Sequence, residues 1–310
     1  MNPIDLNWLK KVRMKKIESR FILALLMITM LPWGVFAQDD LMDILGEEVG
    51  QEIEYTAATF KSSHIINGHS IEQMKKQQLD FRINHRFGQL NSGAYELWGL
   101  DNAVINFCLD YGITDWMMVG LRRGTYQKTY DGSLKFKILR QSKGKRVMPV
   151  SLSYYVDMSI NTLKITDSNI EDVFSNRVAY AHQLLIARKF NDKISLQISP
   201  TFIHRNLVDA NQENDVYAIG IGGRYKFIRR VAFTFEYFYS SNTSGNDELY
   251  NSLSVGFDVE TGGHVFQLFV TNSKPMIEKG FIAETSGNWA DGGIYFGFNI
   301  SRVFALGKTK

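Results

Sequence analysis

Apolar and polar residues alternate strictly along many strand-length segments of this chain. In residues 231–240, for example, Phe233 and Phe235 alternate with Thr234 and Glu236. A period of two predicts a β-strand with one apolar and one polar face. Because charged residues stand in the middle of several such segments, the polar face must meet water along its whole length. This pattern is typical of a membrane-spanning barrel around a wet lumen.

Twelve such segments can be placed along the chain, and single-chain bacterial barrels have an even number of strands. Most are longer than the strands of soluble sheets and suit a tilted membrane strand. The predicted fold class is all-β, a transmembrane antiparallel up-and-down β-barrel of about 12 strands spanning residues 79–304. Its strands are predicted at residues 79–87, 102–111, 116–123, 132–140, 148–160, 177–190, 193–205, 215–227, 231–240, 249–260, 264–272 and 292–304.

The connections between the predicted strands alternate in length. Tight turns such as 191–192 and 229–230 alternate with long polar loops such as 161–176 and 273–291. Short periplasmic turns and long external loops are usual in such barrels, and this arrangement puts both chain ends in the periplasm. A soluble, secreted β-sandwich or barrel with its apolar faces inward is the structural alternative, because alternation alone does not separate the two.

Residues 1–37 are predicted to be a cleaved secretory signal peptide. Six basic residues precede an apolar stretch at 21–31, which Pro32 ends, and small residues follow around Ala37. The stretch is too short for a membrane helix. We therefore expect export to the outer membrane of a Gram-negative bacterium. Met1 and Met14 are both possible sites for the start of translation.

The charge of the chain changes once this leader is removed. Residues 38–310 carry 29 basic and 30 acidic residues, so the net charge gives no reason to expect a nucleic-acid partner. Residues 38–54 hold seven acids and no base. Apolar residues at helical spacing predict a short amphipathic helix at 39–49. The acidic N-terminal segment 38–78 can be a periplasmic tail, a lumen plug or a docking site for a periplasmic partner, and 305–310 is a C-terminal tail.

The candidate site consists of polar and charged residues at every second position of the predicted strands, on the face that points into the barrel. This face is called the inward parity below. They carry both signs, so strong ion selectivity is not expected. Eight-stranded barrels are filled by side chains and barrels of sixteen or more strands hold a channel, so twelve strands lie between these limits. The lumen-facing candidates are Asp80, Arg82, Asn84, Arg86, Asp110, Lys135, Lys137, Asp157, Arg224, Lys226, Glu236, Asp258 and Glu260.

The leading functional interpretation is a passive channel, a porin-like pore for small solutes. The alternative is a structural or docking barrel with a closed lumen, and an outer-membrane lipid hydrolase is the weaker third. The expected partners are outer-membrane lipid, the barrel-assembly machinery and, as one option for residues 38–78, a periplasmic protein. In this interpretation Leu196, Ile198, Phe233 and Phe235 face lipid. Arginine is then tolerated at lumen position Glu236 but impairs membrane folding at Phe235.

Enzymatic and metal chemistry find little support in the sequence. Cys108 is alone, so the chain forms no internal disulfide. The spacing of His64, His69, His85 and His182 is not that of a metal site, for which three or four ligands must converge. The hydroxyl-rich loop 240–247 has no histidine beside it to activate a nucleophile. We predict no catalytic residue, no metal and no cofactor.

Pro200 conflicts with an ideal barrel wall. It stands inside the seventh predicted strand, where every backbone N–H should be bonded, and proline has none. We therefore expect a β-bulge or an irregular ladder at this position.

Four segments of the chain resemble a Gram-negative family known as a membrane-bound β-barrel domain of unknown function. The resemblance covers most of the chain beyond the leader and implies an outer-membrane barrel without naming an activity or catalytic residues. Outer-membrane barrels generally end on an aromatic residue that the assembly machinery reads, and Phe304 is similar to that residue. The segments that carry the resemblance are residues 60–70, 79–88, 110–115 and 295–304.

Overall fold

The computed structural model describes residues 52–166, 171–209, 212–243 and 248–307. All of them belong to one compact unit, Glu52–Lys310. The predicted signal peptide and the predicted helix at 39–49 lie outside the described residues. Within the described residues, no helix is both long enough and apolar enough to cross a membrane.

The described chain forms a closed antiparallel barrel of twelve strands, which confirms the predicted fold class. No strand end differs from its prediction by more than three residues. The barrel strands are β2 (Gln78–Gln89), β3 (Ala103–Gly112), β4 (Met117–Gly124), β5 (Tyr130–Leu139), β7 (Ser151–Ile160), β8 (Val178–Lys189), β9 (Ile194–Arg205), β10 (Asp215–Ile228), β11 (Val231–Ser240), β12 (Ser252–Thr261), β13 (His264–Thr271) and β14 (Tyr295–Ala305).

Each barrel strand pairs with its neighbours in the chain, and β14 pairs with β2 to close the wall. Closure removes the free strand edges that an open sheet would expose. Two short strands, β1 (Ile53–Tyr55) and β6 (Ser142–Gly144), form a separate antiparallel pair outside the barrel. This pair joins the start of the described chain to the connection between β5 and β7.

Burial along the strands is reversed relative to a soluble protein. In β11, Thr234 and Glu236 are buried, while Phe233 and Phe235 between them are partly exposed. The same holds in β9, where Leu196 is 39% exposed and Gln197 is 1% exposed. The apolar faces therefore form the outside of the barrel and the polar faces the inside. The soluble alternative with inward apolar faces is wrong.

The two rims of the barrel differ in the length of their connections. The rim here called the turn end carries the connections at residues 113–116, 140–150, 190–193, 229–230 and 262–263. The opposite rim, the loop end, carries 90–102, 125–129, 161–177, 206–214, 241–251 and 272–294. The last of these contains a short helix, α1 (Glu278–Ala283), which is almost wholly buried.

Pro200 interrupts the ladder without shifting its register. Between β8 and β9 the paired residues run from Gln183 with Thr201 to Ile186 with Ile198, and no pair is formed in between. The expected irregular ladder is confirmed, and no bulge forms at this position because the register is the same on both sides. Proline cannot donate to the ladder, so the interruption follows from its missing N–H.

Candidate functional site

The lumen contains a hairpin built from the N-terminal segment, residues 59–74, here called the plug. The plug enters at the turn end, where Lys61 Nζ lies 2.5 Å from a carboxylate oxygen of Glu260. It turns at residues 65–68, where the Ile65 N–H donates to the Gly68 carbonyl at 2.9 Å. It leaves at the turn end again, where the Gln77 N–H donates to the Gly112 carbonyl, and continues into β2. Of the three places considered for this segment, the structure thus puts residues 59–74 inside the barrel.

The tip of the plug is held by the carboxylate of Glu236, which projects from the middle of β11. Three successive backbone N–H groups donate to this carboxylate, those of Ile66 (3.2 Å), Asn67 (2.8 Å) and Gly68 (3.1 Å). Glu236 is 1% exposed. Hydrogen bonds to a charged acceptor are stronger than neutral ones, so Glu236 is the main polar anchor of the tip.

Two arginines of β2, four strands away from β11 around the wall, bind the same tip. Arg82 donates to the Ile66 carbonyl at 3.0 Å and to the Ser62 hydroxyl at 2.7 Å. Arg86 donates to the Asn67 side-chain oxygen and, at 3.3 Å, to the Ser273 carbonyl. The carboxylate of Glu236 therefore accepts hydrogen bonds from the N–H groups of the tip, and the two arginines donate hydrogen bonds to oxygen atoms of the plug.

Further polar contacts line the returning arm of the plug and its base. Lys135 donates to the carbonyls of Ser70, at 2.5 Å, and of Glu72. The Ser63 hydroxyl lies 3.3 Å from a carboxylate oxygen of Asp80 and 3.2 Å from one of Asp110. These wall groups contact the plug mainly through its backbone and small hydroxyls, so the plug behaves as a polar ligand of the barrel.

An apolar patch on the inner wall completes the contact. Leu185 and Tyr155 are fully buried and pack in one cluster with Phe60, Ile65 and Ile71 of the plug. Leu185 stands on the inward parity of β8, where an aqueous lumen would require a polar residue. This position is the sequence signal that could have indicated a lumen occupied by protein.

A second segment enters the lumen from the loop end. The connection between β13 and β14 folds inward, and in α1 the side chains of Phe281 and Ile282 are fully buried. The Phe281 ring packs edge-on against Phe238 of the wall at 5.2 Å. Glu278, in the first turn of α1, is 2% exposed.

The plug and the inward loop meet at His69. The Nε2 atom of His69 lies 3.8 Å from Glu278 Oε1, and Arg122 Nη1 lies 3.5 Å from the other oxygen of the same carboxylate. Arg122 also donates to His69 Nε2 and, at 2.7 Å, to the Tyr155 hydroxyl. Because arginine only donates, Nε2 must accept, and the His69 ring is neutral.

Burial controls protonation at this junction. The ring centroids of His64 and His69 lie 4.0 Å apart, with the rings tilted by 39°, and both residues are buried. Burial lowers the pKa of both rings well below its ordinary value, and the positive charges of Arg122 and Lys135 lower it further. Burial raises the pKa of Glu278, an effect that Arg122 opposes. The junction is therefore built for neutral histidines.

The structure places the thirteen lumen-facing candidates as follows. Three are partly exposed near the turn end: Lys137, Lys226 and Glu260. The other ten are buried: Asp80, Arg82, Asn84, Arg86, Asp110, Lys135, Asp157, Arg224, Glu236 and Asp258. Six of these ten hydrogen-bond the plug side chains or backbone described above: Asp80, Arg82, Arg86, Asp110, Lys135 and Glu236.

Sequence reasoning missed Arg122, Tyr155 and Glu278 as functional residues. Arg122 and Tyr155 stand on the inward parity of β4 and β7, so parity alone could have identified them. Glu278 lies in a long connection, and no local signal shows that this connection folds inward. Among the described residues, no three or more His, Cys, Asp or Glu side chains are grouped as metal ligands.

Comparison with known proteins identifies the family. The model of a family described as a membrane bound beta barrel domain (DUF5777) matches residues 60–304. The chain belongs to this family. The matched range begins inside the plug, at Phe60, and ends in β14, at Phe304. The family description names a membrane barrel and no activity.

Several solved structures are similar to this DUF5777 barrel at low sequence identity. The NanC porin is 10% identical, with 73% of this chain and 98% of that chain covered and a TM-score of 0.43. The KdgM porin is 8% identical, with 73% and 99% covered and a TM-score of 0.43. The Acinetobacter baumannii outer membrane protein Omp33 is 8% identical, with 75% and 100% covered and a TM-score of 0.40. No curated protein matches the chain.

Proposed function

We propose that this protein is a gated outer-membrane channel for small polar solutes and that its lumen is closed in this structure. The observation that carries the proposal is that a contiguous, tethered hairpin fills a lumen whose wall is polar. Glu236, Arg82 and Lys135 bind the plug mostly through its backbone. Contacts of this kind can be exchanged for water one by one, whereas a purely structural barrel would be better filled by its own wall side chains.

The attachment of the plug supports a reversible closure. At its C-terminal side the plug continues into β2 through residues 75–77, so it stays tethered to the barrel when it moves. At its N-terminal side it follows β1, which is paired with β6 over only three residues. Withdrawal of the plug toward the turn end thus requires no change in the barrel wall.

Once the plug is withdrawn, the open lumen would pass small polar solutes with little preference for their charge. The wall around the plug carries the basic side chains of Arg82, Arg86 and Lys135 and the acidic side chains of Asp110 and Glu236. Because the lumen is lined by both signs, a large selectivity between cations and anions is not expected. The predicted signal peptide and the membrane-barrel family together support an outer-membrane location, with the turn end in the periplasm.

Conductance in planar lipid bilayers tests this proposal. The intact chain should show little steady conductance, and replacing residues 59–74 by a short flexible linker should raise it. Deletion of residues 38–51 is the matched control, because it shortens the N-terminal segment and leaves the plug in place. If all three forms fold into the membrane and remain silent, the closed structural or docking barrel is the better account.

We do not propose an enzyme. In the described part of loop 241–251, the hydroxyl of Thr243 donates to the Ser240 carbonyl at 2.8 Å, and the Ser240 hydroxyl accepts from the Asn242 N–H. These hydroxyls are engaged in local backbone structure, as in ordinary loops. A phospholipase assay on the purified protein should find no hydrolysis above that of empty micelles.

A further inference from the structure

A cavity of about 390 Å³ opens at the turn end, beside the entry of the plug. Its lining brings together four basic side chains, those of Lys61, Lys226, Arg229 and Arg230, and one carboxylate, that of Glu260. The plug, the end of β10 with the turn that follows it, and the end of β12 with the turn that follows it all contribute. The volume is in the range of small-ligand sites and exceeds what a single ion needs.

The positive charge of this cavity is mostly uncompensated. Lys61 pairs with Glu260 at 2.5 Å. Within the described residues, Lys226, Arg229 and Arg230 make no ion pair, although ion pairs form elsewhere on the same rim, as between Lys189 and Asp192. Like charges held this close repel one another, and a bound anion relieves that repulsion.

The backbone explains why these charges are gathered. Arg229 and Arg230 are the entire connection between two paired strands, so both stand at the tip of a tight turn. The ladder between β10 and β11 shifts register between Lys226 and Ile228, immediately before this turn. The irregularity brings Lys226 and the turn to one cavity, and the strand pairing of β11 with β12 brings Glu260 beside them.

We propose that this cavity binds a multivalent oxyanion of the phosphoryl class. Arginine offers planar pairs of donors that match phosphate oxygens, and lysine adds a mobile point charge. Glu260 acts as the internal competitor of the ligand, since it already neutralises Lys61. This binding site goes beyond the proposed channel function and does not depend on it, because the cavity is open while the plug is in place.

The link to the plug gives the site a second consequence. Lys61 belongs to the plug, and its bridge to Glu260 is the ion pair that fixes the plug at the mouth of the barrel. An oxyanion that draws Lys61 toward the cavity weakens that bridge. Ligand binding at the mouth and retention of the plug are therefore coupled.

Titration calorimetry with inorganic pyrophosphate on the full chain in zwitterionic detergent tests the site. Saturable binding is expected, and Arg229→Gln with Arg230→Gln should weaken it about tenfold or more, since each charge-assisted contact is strong. Glu260→Gln should tighten binding by roughly threefold because the competing carboxylate is removed. Lys145→Gln with Arg146→Gln is the matched control, a double neutralisation on another turn-end connection, and should leave binding unchanged. Folding of each variant is checked by the heat-modifiable gel shift of barrels.

Vesicles identify the source of the phosphoryl group. In phosphatidylcholine vesicles, pyrophosphate should bind as in detergent. If added phosphatidic acid, whose headgroup is a phosphomonoester, competes with pyrophosphate, the natural ligand is a lipid headgroup, and if it does not, the ligand is a soluble phosphorylated solute. Absence of binding in folded protein, or equal binding by the Arg229/Arg230 variant and the Lys145/Arg146 control, would overturn the proposal.

Discussion

The carboxylate of Glu278 lies 3.8 Å from Nε2 of His69, and the two residues reach this point from opposite rims of the barrel. His69 belongs to the plug, which enters at the turn end, and Glu278 belongs to α1, which descends from the loop end. The lumen is thus closed by two segments that touch each other. Removing either one disturbs the contacts of the other, so both should influence opening of the proposed channel.

Glu236→Gln is predicted to loosen the plug. An amide oxygen accepts the three N–H groups of the tip more weakly than a carboxylate, and a charge-assisted hydrogen bond is worth about 1.5–3 kcal/mol. The open fraction, measured as single-channel open time in planar bilayers, should rise by roughly tenfold or more. Asp157→Asn is the control, since Asp157 is also buried in the wall and the described plug forms no hydrogen bond with it. Equal open times in the two variants would contradict the role of Glu236.

The same geometry adds a consequence for arginine at position 236. Membrane folding is still expected to tolerate it, because the position faces the lumen. Glu236, however, accepts from three N–H groups of the plug. Arginine has no acceptor to offer them, so Glu236→Arg should expel the plug tip even where the barrel itself still folds.

Acidification is predicted to destabilise the closed state. Burial, together with nearby positive charges, holds the pKa of His64 and His69 below the ordinary value of about 6.5, which both rings regain when the plug is in water. The released plug therefore binds more protons, and the stability of the closed state is present above pH ~6.5 and is lost as the pH falls below it. Conductance should rise over this interval.

A double variant isolates the histidine contribution. Glu278 has a raised pKa, so its protonation at lower pH favours the closed state and opposes the histidines. His64→Gln with His69→Gln removes only the histidine part. The conductance of this variant should not rise between neutral pH and pH ~6, where unperturbed histidine titrates. A rise equal to that of the wild type would show that other groups drive the response.

Phe235→Arg is predicted to block membrane folding through the lipid face. Phe235 stands in the middle of β11 on the outward parity, where arginine costs about 2–4 kcal/mol. Phe227, near the turn end of β10, is 54% exposed, and arginine close to the membrane surface costs about 0–1 kcal/mol. Folding into liposomes, followed by heat-modifiable gel shift, should fail for Phe235→Arg and succeed for Phe227→Arg. The reverse result would place the membrane elsewhere on the barrel.

Sidedness is predicted from the two rims. In a Cys108→Ser background, Lys164→Cys marks an exposed position of the loop end and Gly262→Cys marks the turn end, where a side chain meets open space. On intact cells an impermeant maleimide should label position 164 only, and position 262 should react after the outer membrane is breached. Labelling of position 262 alone on intact cells would mean that the barrel is inverted.

Alternation was sufficient to predict the barrel but not its contents. The period of two in strands such as β11 is a local property, so the wall, its parity and its strand ends follow from neighbouring residues. The plug depends on contacts between positions far apart in the chain, such as Asn67 with Glu236. Its segment is short, polar and without periodicity, and no local rule distinguishes a lumen plug from a periplasmic tail. The position of α1 inside the lumen could not be predicted from the sequence for the same reason.

The most direct test of the central claim locks the plug in place. A Cβ atom added at Gly222 would lie 2.5 Å from Cδ1 and 3.7 Å from Cγ1 of Ile65 in the plug, so a shorter cysteine in place of Ile65 would bring its sulfur within reach of a cysteine at position 222. In a Cys108→Ser background, Ile65→Cys with Gly222→Cys should give a barrel that stays silent at pH ~5, below the ordinary histidine pKa, until a reductant is added. Each single variant should conduct with and without reductant. Conductance of the oxidised double variant equal to that of its reduced form would show that the plug is not the gate.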